Sequence, residues 1–206
     1  MSTSCAHAAS SKPSRAAIRT ALAGAKARCV AANQRWTAQR ERALELQRYL
    51  DTELGPHLRR FAFFHILQGT EDAPAVMSQG FSPRTRKRFK AAYPLIRAVM
   101  RRAMNINAKS AERSRVKVLE AMDRLDADIG PTGYLVGESF SVADLAGASL
   151  LFPLVRPSVG LQSELPDTFA PPLEEFRTSV ADRPSFKWVD EMYRRHRGTS
   201  ASINGI

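Results

Sequence analysis

Apolar residues recur at three- and four-residue spacing from residue 41 onward, which is the pattern of amphipathic helices. The spacing is clearest in two sets: Ala43, Leu46, Leu50 and Leu54, and Val118, Met122, Leu125 and Ile129. No stretch alternates apolar and polar residues convincingly, as a half-buried strand would. We therefore predict an all-α fold, a helical bundle of roughly seven helices, over residues 41–198.

Glycine and proline mark the ends of these helices. Gly55-Pro56 is expected to interrupt the first helix, and a second, rich in aromatic residues, follows over about 57–68. Ser82-Pro83 is a good helix start, with serine as N-cap and proline at the first helical position. Further helices are predicted over about 110–129, from residue 141, over about 169–181 and over about 184–196.

The strongest local signal is Ser141-x-x-Asp144, a helix-start signature. The Ser141 hydroxyl is expected to accept the backbone N–H of Asp144, and the Asp144 carboxylate to accept the N–H of Ser141. Phe140 and Leu145 stand at the positions of a hydrophobic staple. The helix that follows is apolar on nearly every face, so we predict that it is buried at the centre of the bundle and that these four residues have structural roles.

The formal net charge of +11 comes mostly from the N-terminal segment. Residues 1–40 hold seven Lys and Arg and no acidic residue, whereas residues 41–206 have a net charge of only +4. Residues 1–40 are also rich in Ser and Ala, so we predict a basic tail that is disordered or loosely helical, with residues 15–30 able to form a helix. An organellar transit peptide and an artefact of the gene model are the alternatives. Residues 199–206 are predicted to be a flexible C-terminal tail.

The composition argues against several classes of protein. No window of about 18 apolar residues is present, so no transmembrane helix is expected. Both cysteines, Cys5 and Cys29, lie in the basic tail, and the four histidines lack ligand spacing, so neither a disulfide framework nor a metal site is predicted. A reducing compartment, and hence a cytoplasmic location, is the default; a transit peptide would make the location organellar.

Residues 133–145, which read GYLVGESFSVADL, resemble the glutathione S-transferase C-terminal domain, where a similar segment opens the central buried helix. Residues 183–193 are similar to the last helix of that domain, and residues 42–51 to its first. The resemblance covers about 41–198. It implies a transferase-like protein in which the helical domain lines the apolar co-substrate pocket and contributes to a dimer interface.

The resemblance also implies where a substrate binds. In the family, the helix at 57–68 occupies the place from which side chains face the pocket. Phe61, Phe64 and His65 share one face of this helix, so they are the predicted substrate-binding residues. Ordinary core packing is the alternative for the two phenylalanines. Glutathione is expected as the co-substrate, no tightly bound cofactor is expected, and no catalytic residue is assigned.

In the family, the Tyr, Ser or Cys that activates glutathione lies in a preceding thioredoxin-like domain. Residues 1–40 are too few for that fold and show no strand pattern, so Ser4, Cys5 and Cys29 are not assigned as nucleophiles. The thioredoxin-like domain is thus expected to be absent, which leaves open whether the chain is itself an enzyme. Conjugation of glutathione to small electrophiles is implied only if such a domain is supplied.

The resemblance implies a homodimer or a separate thioredoxin-like domain as partner, and a small apolar electrophile as substrate. The alternative function is a non-catalytic helical module for protein association or apolar-ligand binding. The densest basic run consists of Arg84, Arg86, Lys87, Arg88 and Lys90, which makes nucleic acid or an anionic surface conceivable. These cations lie near a helix start and have no interleaved aromatic residues, so nucleic-acid binding is not expected.

Overall fold

The computed structural model describes residues 15–69, 73–78, 80–159 and 170–197, and these residues form helices and no strand. The predicted all-α fold is therefore confirmed. None of the described helices combines the length and the apolar character needed to cross a bilayer. The elements are α1 (Arg15–Tyr49), a π-helical segment (Leu50–Leu54), α2 (Gly55–Gly69), α3 (Ala73–Met77), α4 (Pro83–Ala103), α5 (Ala108–Asp128), α6 (Val142–Val155), α7 (Pro171–Val180) and α8 (Pro184–His196).

The chain divides into two compact units, Met1–Glu41 and Arg42–Ile206. In the first unit the described residues belong to α1, so the basic segment is helical from Arg15 onward and not only over residues 15–30. Alanine, the strongest helix former, recurs throughout this segment. Residues 1–14 and the C-terminal tail predicted at 199–206 lie outside the described residues.

In the second unit α2 packs chiefly along α5, and α6 packs against α8 and the π-helical segment. The prediction that α6 is buried on all sides is only half right. One broad face of α6 is buried, with Leu151 fully enclosed, whereas Leu145 is 54% exposed and Ser149 is also exposed. An apolar composition is thus not sufficient to bury a helix; a packing partner is needed on each side.

The predicted interruption at Gly55-Pro56 is wrong, because the helix continues through these residues, directly after the π-helical segment Leu50–Leu54. The N–H of Gly55 bonds to the carbonyl of Leu50, five residues earlier. Pro56 has no N–H to donate, and a single wider turn accommodates that loss without breaking the helix. Gly55 also allows α6 to approach closely, because a Cβ at this position would lie 3.1 Å from Leu150 Cδ2.

The main hydrophobic core of the second unit joins the helices on either side of α6. Both apolar sets recognised in the sequence contribute to it, so their helical spacing correctly marks the buried faces. Side chains in such a core are close-packed, and each one fixes its neighbours. Its most enclosed apolar residues are Leu46, Leu50, Leu54, Val118, Met122, Leu125, Leu151, Val180, Val189 and Met192.

A second, smaller core attaches α4 to α2 and α3, and we call it the second core. Its buried members are Leu67, Ala73, Tyr93 and Ile106. All residues of α4 are described, and Tyr93 is the one among them that is buried. The Tyr93 hydroxyl is enclosed without a hydrogen-bond partner in the described part of the chain, and burial raises its pKa. A small core with a single buried residue from α4 therefore holds this helix on the bundle.

Asp144, in the first turn of α6, is completely buried. Its Oδ2 accepts the Ser141 N–H at 2.8 Å and the Ser141 hydroxyl at 2.6 Å. Its Oδ1 accepts the N–H of Leu135 at 2.9 Å. Ser141 and Asp144 form a capping box. The hydrogen bond that Leu135 donates to Asp144 is not part of a capping box and is an additional contact. The Asp144 carboxylate thereby joins the loop before α6 to the first turn of the helix.

The start of α8 is capped from another helix. Arg183, its N-cap residue, makes no side-chain capping bond of its own. Instead Asp126 of α5 accepts the N–H of Ser185 at 2.6 Å and the guanidinium of Arg183 at 2.7 Å. A carboxylate near the N-terminus of a helix also interacts favourably with its dipole, so Asp126 fixes α8 against α5.

We predict that Asp144→Ala lowers the free energy of unfolding by about 2–4 kcal/mol, because it leaves the Leu135 N–H unpaired and removes the cap of α6. Urea unfolding followed by circular dichroism measures the change. Glu138→Ala, at an exposed position of the same loop, is the control and should change the free energy by less than about 0.5 kcal/mol. Equal effects of the two substitutions would contradict this role of Asp144.

Candidate functional site

The predicted substrate-binding residues lie together on α2. The ring centroids of Phe61 and His65 are 4.9 Å apart, and those of Phe64 and His65 are 5.0 Å apart. Phe61 is buried and packs edge-to-face on Phe176 of α7 at 4.9 Å, so it is a core residue. Phe64 and His65 are half-buried, and burial lowers the pKa of His65. Phe64 and His65 are therefore the members of this set with access to solvent.

A polar network between α2 and α5 was not predicted from the sequence. Ser114 of α5 is completely buried, and its Oγ lies 3.0 Å from His57 Nδ1. Arg60 Nη1 donates to the same Oγ at 3.3 Å. The Ser114 hydroxyl accepts a hydrogen bond from Arg60, so it can donate its own proton to His57. Nδ1 of His57 accepts this hydrogen bond when the imidazole is neutral. Burial and the nearby charge of Arg60 both lower the pKa of His57.

The surface between α6 and α8 forms a cleft of about 450 Å³, which we call the α6–α8 cleft. This volume lies within the range of small-molecule pockets, about 300–1,000 Å³. Apolar and polar side chains both line it, and two of them, Phe140 and Leu145, are the predicted staple residues. Both are exposed, at 38% and 54%. The lining residues are Phe140, Leu145, Ala148, Ser149, Met192, Tyr193, His196 and Arg197.

The polar side of the α6–α8 cleft offers hydrogen-bond donors. Burial raises the pKa of Tyr193, although Arg197 and a hydrogen bond with Ser149 act in the opposite direction. The Tyr193 hydroxyl therefore stays protonated at neutral pH and is able to donate a hydrogen bond to a ligand. His196 stacks on Phe140 with ring centroids 4.4 Å apart. Together with the guanidinium of Arg197, these groups suit an apolar molecule that carries a negative charge.

The cleft lies beside a close contact between α6 and α8. A Cβ on Gly147 would lie 3.2 Å from the ring of Trp188, so any larger residue would require the ring to shift by a few tenths of an ångström. Trp188 Nε1 donates to the carbonyl of Gly133 at 2.9 Å, which holds the loop before α6 in place. The end of α8 then stands beside the exposed face of α6, and the cleft lies between them.

No local pattern in the sequence indicates the cleft, because its two walls are more than 40 residues apart. The one related feature of the sequence is the apolar character of the outer face of α6, and this feature predicts a buried helix, not a cleft. In the residues that the structure describes, no three histidine, cysteine, aspartate or glutamate side chains cluster as metal ligands would. The described candidate sites are therefore the α6–α8 cleft and the Phe64–His65 pair.

The family model of the glutathione S-transferase C-terminal domain matches residues 87–184. This range includes most of α4, all of α5, α6 and α7, and the segment on which the resemblance was recognised. The predicted relation to this domain family is thus confirmed for residues 87–184, and its extension to 41–86 and 185–198 stays a prediction. No curated protein matches the chain, and no solved structure does.

We predict that the free energy of unfolding falls as the pH drops below about 6.5, the usual pKa of histidine in an unfolded chain. His57 has a lowered pKa in the folded protein, so the unfolded chain binds more protons in that range and acid favours unfolding. His57→Asn keeps an acceptor for Ser114 but cannot be protonated. Urea unfolding at several pH values should show a smaller acid-dependent loss for this variant, and an unchanged loss would contradict the neutral role of His57.

Proposed function

We propose that this chain, which carries a glutathione S-transferase C-terminal domain over residues 87–184, is a glutathione S-transferase-like protein whose helical domain binds small apolar molecules. We assign the binding to the α6–α8 cleft. Conjugation of glutathione to a small electrophile requires, in addition, a thioredoxin-like domain in the same polypeptide or in a partner. The alternative is a helical module that binds apolar ligands or other proteins without catalysis.

The observation that carries this proposal is the α6–α8 cleft beside the helix by which the family is recognised. An apolar lining from Leu145, Ala148 and Met192 suits the body of a small organic molecule. The hydroxyl of Tyr193 and the guanidinium of Arg197 provide directed polar contacts at its side. In such a pocket, a small number of polar groups that point at the ligand fix its orientation against the apolar lining.

The family resemblance supports binding, and not activation of a thiol, as the role of the described helices. In the family, the Tyr, Ser or Cys that activates glutathione lies in the thioredoxin-like domain, where it stabilises the thiolate or accepts its proton. We therefore infer that the described helices provide the co-substrate side of a reaction whose thiol side comes from the thioredoxin-like domain.

A competing binding position is the Phe64–His65 pair that the sequence predicts. Both side chains are half-buried and their rings are in contact, so a ligand could stack there. The cleft alone does not determine where the ligand binds, so variants at each of the two positions have to distinguish between them.

We also propose that the protein forms a homodimer, as the family resemblance implies. The dimer does not follow from the cleft.

We predict that the protein binds the apolar anion 8-anilinonaphthalene-1-sulfonate at one saturable site in the cleft. Ser149→Trp fills the cleft from an exposed position, and Leu145→Glu adds a negative charge to its lining. Each should weaken binding by about tenfold, which corresponds to about 1.4 kcal/mol. Fluorescence titration measures the affinity, and thermal unfolding verifies that each variant is folded.

Thr178→Trp, at an exposed position of α7 outside the cleft, is the matched control and should leave the affinity unchanged. His65→Ala should also have no effect. If His65→Ala weakens binding and the cleft variants do not, the ligand lies on α2 and the assignment to the cleft is wrong.

We predict further that the chain alone does not accelerate the reaction of glutathione with 1-chloro-2,4-dinitrobenzene, because the family resemblance places the thiol-activating group in a thioredoxin-like domain. The absorbance of the conjugate measures the rate against a protein-free blank. Conjugation by the chain alone would contradict the need for a thioredoxin-like domain. Ligand binding without conjugation, even after such domains are added, would favour the non-catalytic alternative.

A further inference from the structure

The segment from residue 73 to residue 111 contains nine Lys and Arg and no Asp or Glu. Eight of these cations stand on α4, so one helix carries a third of the 24 Lys and Arg of the second unit. The eight are Arg84, Arg86, Lys87, Arg88, Lys90, Arg97, Arg101 and Arg102. In the described part of the chain, no ion pair includes any of them, although α5 pairs its own cations, as in Arg115 with Glu112.

Most of these charges act against the helix that carries them, although Arg101 and Arg102 in its last turn interact favourably with its dipole. Like charges repel when they are four residues apart, as Arg84 and Arg88 are, and as Arg97 and Arg101 are. Cations in the first turn also oppose the helix dipole, and the first turn of α4 contains no acidic residue. A bound polyanion would relieve this repulsion, so the charge pattern is favourable only when the partner is negatively charged.

The outer surface of α4 also exposes large apolar side chains. Leu95 is 71% exposed and Val99 is 57% exposed, and the two lie one turn apart on the same side of the helix. Arg88 and Arg102 are each seven residues from Leu95, which is two helical turns, and so they stand on that side as well. We call this combination of exposed arginine and aliphatic side chains the basic face of α4.

We propose that the basic face of α4 docks the protein onto an anionic lipid bilayer, with α4 lying in the plane of the interface. A bilayer that contains phosphatidylserine offers negative headgroups to the cations and an apolar layer to Leu95 and Val99. A nucleic-acid backbone would meet the cations but leave both aliphatic side chains in water. The aromatic residues of α4, Phe89 and Tyr93, pack in the second core and cannot stack on bases.

The test uses the full chain in a flotation assay with vesicles of phosphatidylcholine, with and without phosphatidylserine. We expect binding only to the vesicles that contain phosphatidylserine, and less binding as salt is added. A charge variant, R84Q/R88Q/R102Q, and an apolar variant, L95Q/V99Q, should each weaken binding by more than about tenfold. All five positions are exposed, and circular dichroism verifies that the helices are retained.

A matched control removes three exposed cations elsewhere in the second unit, R59Q/R113Q/K187Q, and should leave vesicle binding nearly unchanged. Equal weakening by the charge variant and this control would show a general charge effect and overturn the proposal. If neither α4 variant changes vesicle binding, the protein docks through other cations, and the proposal is overturned as well.

The same variants distinguish nucleic acid from lipid. Double-stranded DNA is offered in an electrophoretic mobility assay at the salt concentration of the flotation assay. DNA binding that the charge variant weakens and the apolar variant does not, without vesicle binding, would identify α4 as a nucleic-acid surface and overturn the lipid proposal. The reverse pattern, vesicle binding that depends on Leu95 and Val99, is the result that the basic face predicts.

Discussion

The buried carboxylate of Asp144 is the constraint on which the rest of the second unit depends. A completely buried charge is tolerated only when donors surround it, and here the backbone of Leu135 and both the backbone and the hydroxyl of Ser141 do so. These bonds fix the residue at which α6 begins and hold the preceding loop against it. The elements that pack on α6 are therefore placed relative to that start.

Close approach of neighbouring helices follows from this placement. Gly55 lets the π-helical segment pass beside Leu150, and Gly147 lets α8 approach through Trp188. Trp188 also bonds to the carbonyl of Gly133, so the loop before α6 is held at both ends. The α6–α8 cleft is lined by residues of the same two helices, so the proposed ligand site lies next to the most constrained part of the fold.

Much of this fold could be predicted because it obeys local rules. The spacing of Leu46, Leu50 and Leu54 marks a buried face, and Ser141 with Asp144 marks a helix start. The unpredicted features join residues far apart in sequence, such as the carboxylate of Asp126 that caps α8. For Phe61, the residue type favours core packing over a pocket without deciding between them, and the ring of Phe176 against it makes it a core residue. The cleft was missed because no single segment contains both of its walls.

The distribution of charge distinguishes α4 from the other helices of the second unit. Repulsion among its cations weakens a helix that the small second core around Tyr93 holds on the bundle. Arg60 strengthens this attachment, because its Nε donates to the carbonyl of Met104 at 3.0 Å just beyond the end of α4. The same side chain donates to Ser114 in the His57 network. Arg60 therefore contributes both to the attachment of α4 and to the hydrogen-bond network that keeps His57 neutral. A change that moves α4 acts through Arg60 on the network of Ser114 and His57.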